Sequence, residues 1–153
     1  MTTTENTSHR IDYAKSARTA FRALLALDAA AREGLDPTLV ELVQIRASQL
    51  NNCAYCLDMH ARDAREAGES DERLYLLAVW RDAPAGVYTD REQAALALTE
   101  AVTRIGEGVD DAVYGRAAEW FEATEVAQLI SLICTINTWN RINVSTRRTP
   151  GTA

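Results

Sequence analysis

At 153 residues, with 47% hydrophobic and 25% charged side chains, the chain has the length and make-up of one globular domain that buries about two-thirds of its unfolded surface. Its net charge is −6, and its fifteen arginines and single lysine are scattered among acids, which argues against nucleic acid as a partner. No apolar run approaches the ~18 residues of a membrane span. Residues 1–10 are polar and lack the apolar stretch of a secretory signal. A cytoplasmic, reducing compartment is therefore expected.

The periodicity is helical throughout, and no segment alternates like a strand. A first helix is predicted from Tyr13 to Arg32, with Ala17, Phe21, Leu24, Leu25 and Leu27 as its apolar stripe and Gly34 as its stop. Asp36-Pro37 reads as an N-cap followed by proline at the first helical position, opening a second helix that breaks near Asn51-Asn52. A third helix starts around Cys53 and stops at Gly68. Ser70 opens a fourth, reaching Trp80.

After a loop at 82–86, Thr89 and Glu92 form a capping box for a fifth helix to about Ile105. A sixth spans Asp111 to Glu122, and Thr124 caps a long apolar seventh through Arg141. The expected fold is all-α, one domain of six or seven helices over 13–142, with disordered segments at 1–12 and 143–153. The last helix is apolar around most of its circumference, so Cys134 within it is expected in the core.

Three of the chain's five cysteines and histidines fall within eight positions: Cys53, Cys56 and His60. Thiols at C-x-x-C spacing close a disulfide with little backbone rearrangement, and such pairs commonly hold a thiol of lowered pKa. At the start of a helix the dipole and the free N–H groups stabilise a thiolate at Cys53. On a helix, Cys56 and His60 stand at i and i+4, which makes His60 a candidate base for the Cys56 thiol. Glu41, twelve residues before Cys53 on the preceding helix, is a candidate carboxylate for orienting the imidazole. Arg46 and Asp58 are expected in ion pairs, and Trp80, Trp120 and Trp139 in the core or an interface.

The run from Glu41 through Gln44, Arg46, Ser48, Cys53, Tyr55, Cys56 and Asp58 to His60 resembles the core motif of the alkylhydroperoxidase D-like (AhpD-like) branch of the carboxymuconolactone decarboxylase family. That pattern is a glutamate, eleven residues, Cys-x-x-Cys, three residues and a histidine. The resemblance implies an all-α fold with the Cys-x-x-Cys at the start of a central helix, assembled as homotrimers or homohexamers. It further implies a thiol peroxidase in which Cys56 attacks the hydroperoxide, His60 and Glu41 move the proton, and Cys53 resolves the sulfenic acid into a disulfide.

No bound cofactor or metal is expected. The chain has no nucleotide-binding fingerprint, so electrons would come from an external dithiol, lipoyl-type or thioredoxin-like. The chain departs from the family pattern at Tyr55, where the well-known peroxidases carry a second histidine between the cysteines; a phenol is a poor base near neutral pH, so Tyr55 is only a possible relay. Three other readings stand beside this one. They are a zinc site of Cys53, Cys56, His60 and Glu41, a carboxymuconolactone decarboxylase-type lyase, and a non-catalytic helical oligomer that senses oxidants through its cysteines.

Overall fold

A computed structural model describes residues 9–151. It is all-helical: α1 (Tyr13–Ser16), α2 (Arg18–Ala31), α3 (Pro37–Leu50), α4 (Ala54–Glu66), α5 (Asp71–Leu76), α6 (Asp90–Thr103), α7 (Asp111–Trp120) and α8 (Ala123–Thr146), with 3-10 segments at Leu77–Asp82 and Ile105–Glu107. Among the described residues there is no strand, and no helix is long and apolar enough to cross a membrane.

Local chemistry sets the boundaries. The Asp36 side chain accepts the Leu39 N–H at 3.0 Å with Pro37 in the first turn, and Thr89 and Glu92 close their capping box on α6; each such cap is worth about 1 kcal/mol. Gly68 ends the α4 segment at a φ of +99°, a conformation open to glycine without penalty.

The hydrophobic core forms on two sides of α3. Leu39, Val40 and Val43 pack with Ala94, Leu98, Leu129, Leu132 and Ile133 of α6 and α8. Leu42 and Ile45 pack with Ala64, Leu77, Trp80 and Leu96. α3 is thus covered on both sides, and α4 packs along it through the tight turn Asn51-Asn52. Asn52 takes a left-handed φ of +53°, which asparagine tolerates better than other residues.

The structure departs from expectation at several ends. The predicted first helix is broken at Ala17 into α1 and α2, since Ala17 leaves helical geometry and offers no side-chain cap. Of its apolar stripe only Leu24 is buried, while Leu25 and Leu27 face solvent. The predicted fourth helix tightens to 3-10 geometry at Leu77. The last helix is capped by Glu122 with Glu125 rather than by Thr124.

That helix also runs to Thr146, five residues past Arg141. Residues 143–146, assigned to a disordered tail, are its last turn, with Asn143 and Thr146 buried. Arg10, placed in the disordered start, donates its backbone N–H to Thr146 O at 2.9 Å, and Asp12 caps α1. The disorder expected for residues 1–8 and 152–153 lies outside the described residues.

Candidate active site

Cys53 is the N-cap of α4, its sulfur accepting the Cys56 N–H at 3.3 Å. Cys56 lies one turn into the helix, and the two sulfurs form a disulfide with a Cα–Cα distance of 5.4 Å. Both cysteines are buried. Thus the C-x-x-C spacing is used as a covalent pair, at the helix start where the sequence puts it.

His60 stands one turn beyond Cys56 and is buried, with Nδ1 2.9 Å from Oε2 of Glu41. An ionised carboxylate only accepts, so this contact fixes Nδ1 as the protonated nitrogen and leaves Nε2 as the basic one in the neutral ring. The other Glu41 oxygen lies 3.5 Å from Arg32, which also donates to Asp28 at 2.9 Å. Trp139 Nε1 donates to the second Asp28 oxygen at 3.3 Å. A chain of polar contacts therefore runs from Trp139 through Asp28, Arg32 and Glu41 to His60.

A cavity of about 200 Å³ opens above these groups. Three helix faces line it, each at three- and four-residue spacing: Phe21, Leu25, Asp28 and Arg32 from α2; Tyr55, Cys56, Met59 and His60 from α4; Ile136, Trp139 and Asn143 from α8. Cys56 and His60 reach this cavity, whereas Cys53 is absent from its lining. The walls are largely apolar, and Phe21 meets Trp139 edge-on with ring centroids 5.7 Å apart. Arg148, just beyond α8, lies over the Tyr55 ring at 4.2 Å from its centroid and closes the rim.

Four of the sequence-selected residues, Glu41, Cys53, Cys56 and His60, thus fall in one place. Tyr55 sits at the rim as well, but among the described residues its hydroxyl makes no hydrogen bond to His60 or Glu41. No hydrogen bond joins His60 to Cys56 in this disulfide-bonded state; the two share the cavity instead. The metal-capable group here is Glu41, His60 and Asp63, whose ligand atoms lie within 4.8 Å of one another. It contains neither cysteine, and the disulfide removes both sulfurs from the zinc arrangement considered above.

Sequence reasoning missed Arg32, Asp28 and Asn143. The Asn143 side-chain amide donates to Cys56 Sγ at 3.4 Å from the last turn of α8. One expectation is corrected. Cys134 is exposed rather than in the core, because it falls on the outward line of α8. Trp139 lines the cavity, and Trp120 is exposed, leaving Trp80 as the buried tryptophan. Arg46 does pair with Glu100 at 2.9 Å, and Asp58 with Arg62 at 3.1 Å.

Comparison with known proteins agrees with this geometry. Residues 17–101 match the description of the carboxymuconolactone decarboxylase family. The Bacillus subtilis protein YdfG, uncharacterised, is 35% identical over 140 residues, covering 90% of this chain and 94% of that protein. A crystal structure from Agrobacterium tumefaciens, of the protein of unknown function ATU0492 and a candidate antioxidant defence protein AhpD, superposes with a TM-score of 0.90. It is 37% identical and covers 95% of this chain and all of that one. The debrominase Bmp8, crystallised with 2,3,4-tribromopyrrole in a cysteine-to-alanine variant, shares the fold with a TM-score of 0.73 at 17% identity, over 86% of this chain and 69% of that one.

Proposed function

Because the chain belongs to the carboxymuconolactone decarboxylase family, and to its AhpD-like branch, we propose that it is a thiol-dependent hydroperoxide reductase that cycles through the Cys53–Cys56 disulfide. The observation that carries this reading is the placement of a disulfide-bonded Cys56 in the same apolar cavity as a Glu41-paired His60. In the reduced enzyme His60 takes the Cys56 proton, and the thiolate attacks the terminal oxygen of the hydroperoxide. The O–O bond breaks, Cys56 becomes a sulfenic acid, and the alkoxide leaves as an alcohol with the proton from His60. Cys53 then condenses with the sulfenic acid, water leaves, and the disulfide forms. An external dithiol reduces it, its own sulfurs becoming the new disulfide.

The reading includes an antioxidant role in the cytoplasm, no bound cofactor or metal, a lipoyl-type or thioredoxin-like donor, and assembly as a homotrimer or homohexamer. It predicts steady consumption of hydroperoxide when a dithiol is supplied, abolished in Cys56→Ser and reduced in Cys53→Ser to a single oxidation trapped as sulfenate or mixed disulfide. Full turnover in Cys56→Ser refutes it. Turnover of a carboxylated lactone that survives loss of both cysteines would point to the lyase instead. A disulfide that forms with peroxide but does not cycle with any dithiol would point to a sensor. Brominated pyrroles belong in the same assay, since a debrominase shares this fold.

A further inference from the structure

The last helix buries a line of polar residues at three-residue intervals: Asn137, Asn140, Asn143 and Thr146. The first two tie helices together. Asn137 donates to Thr103 Oγ1 and Asn140 to Ser48 Oγ, each at 3.0 Å, and both carbonyls accept from Asn51 at 2.9 Å. Asn143 breaks this pattern, because its amide meets sulfur.

We propose that Asn143 is a further catalytic residue, a neutral donor that stabilises the Cys56 thiolate over the thiol. This rests on the reading of Cys56 as the reactive sulfur. A thiol or disulfide sulfur is a weak acceptor, so the bond seen here returns little of what it takes to bury an amide. A thiolate is a charged acceptor, and hydrogen bonds to charged groups are roughly twice as strong as neutral ones. The contact is therefore strongest in the state where the sulfur attacks or leaves, which is the differential that catalysis uses.

Two details sharpen the assignment. The helix terminus serves the other cysteine: the Cys56 N–H is directed at Cys53 Sγ, at 3.3 Å. Asn143 therefore supplies Cys56 with a donor that the first turn of α4 does not. The backbone that carries this donor is also anchored, because the Asn143 main-chain carbonyl accepts the Arg148 N–H at 3.0 Å where the chain leaves α8. The division of labour is simple. His60 receives the proton from Cys56, and Asn143 holds the negative charge left on sulfur and transfers nothing.

The test uses no peroxide. In a Cys53→Ser, Cys134→Ser chain Cys56 is the single thiol, and its ionisation is followed by thiolate ultraviolet absorbance and by the pH dependence of iodoacetamide alkylation. Asn143→Ala is expected to raise the midpoint by about one pH unit, about tenfold less thiolate below both midpoints. Asn143→Asp raises it at least as far, because a carboxylate opposes a neighbouring thiolate.

In the chain with both cysteines of the pair, Asn143→Ala shifts the equilibrium with dithiothreitol toward the disulfide by up to the same tenfold, about 30 mV. A folded Asn143→Ala whose midpoint stays within about 0.2 unit of its parent overturns the proposal. If Asn143→Ala does not fold, the near-isosteric Asn143→Asp decides by the same criterion. An unchanged midpoint leaves the peroxidase reading standing, whereas a shifted midpoint without peroxide turnover refutes that reading and keeps the role of Asn143.

Discussion

Glu41 and His60 meet at 2.9 Å between α3 and α4, with the second Glu41 oxygen facing Arg32 at 3.5 Å. The carboxylate thus fixes the imidazole tautomer and is itself fixed by a guanidinium. His60→Ala should lower peroxide turnover by about 100-fold or more, the usual contribution of a positioned acid–base group. Glu41→Gln keeps an acceptor but loses the charge, and should fall between that variant and wild type. Arg32→Met, which removes a half-exposed partner, should change turnover only a few-fold. Steady-state kinetics with one hydroperoxide and one dithiol checks the order; equal activity in His60→Ala and wild type contradicts it.

Tyr55 presents its ring to Arg148. It stacks under Arg148 at 4.2 Å from the ring centroid, a contact worth about 0.5–1 kcal/mol at an exposed site. Tyr55→Phe should therefore leave turnover within about twofold of wild type, since a phenyl face still holds the guanidinium. A much larger fall in Tyr55→Phe would assign the phenol to proton transfer after all.

Away from the cavity, Glu100 anchors the outer side of α3. It accepts from Arg46 Nε at 2.9 Å and Trp80 Nε1 at 2.8 Å, and pairs with Arg81, while only 6% exposed. Glu100→Ala leaves the half-buried Arg46 without its carboxylate, with only Gln49 Oε1 at 3.0 Å as a remaining partner, and should destabilise the fold by about 3 kcal/mol in a denaturant titration. Burial alone would raise the Glu100 carboxyl, but the bonds from Arg81, Trp80 and Arg46 outweigh it and hold it below its ordinary 4.5.

The folded chain therefore binds this proton less tightly than the unfolded one. The stabilisation is complete above the ordinary value and disappears as pH falls through it toward the depressed one. Wild type should lose stability more steeply than Glu100→Gln on acidification below 4.5; parallel curves would contradict this.

The disulfide closes a loop with a sequence separation of only 3, so chain entropy gives it about 2 kcal/mol of stabilisation. Reduction should lower the unfolding free energy by no more than about that amount. Comparing denaturant midpoints with and without a dithiol measures it. A reduced chain that unfolds outright would show that the bond, and not the core around α3, holds the fold.

Much of this was legible because it is local. Asp36-Pro37, the Thr89–Glu92 box, Gly68 and the start of α4 at Cys53 all follow from side chains acting within one turn of their own backbone. Glu41 was found because a family pattern supplied the link between two helices that spacing alone left weak. Asn143, Asp28 and Trp139 were not, because they enter the cavity only through the packing of α2 and α8 on α4; Asn143 lies 87 residues from Cys56.

The end of α8 was hidden for another reason. Asn143, Ser145 and Thr146 are weak helix formers, and the helix closes at Arg147 in a left-handed conformation, with no glycine to mark the stop. Cys134 was misplaced because the first half of this helix carries apolar residues around most of its circumference, which gives periodicity little to distinguish its inner from its outer line.

Cys53 caps α4 with its sulfur. A thiolate accepts an N–H more strongly than a disulfide sulfur does, so a Cys53 thiolate would hold this cap more tightly than the disulfide does. The start of the helix that carries Cys56 and His60 is thus fixed by one of the two sulfur atoms of the pair itself.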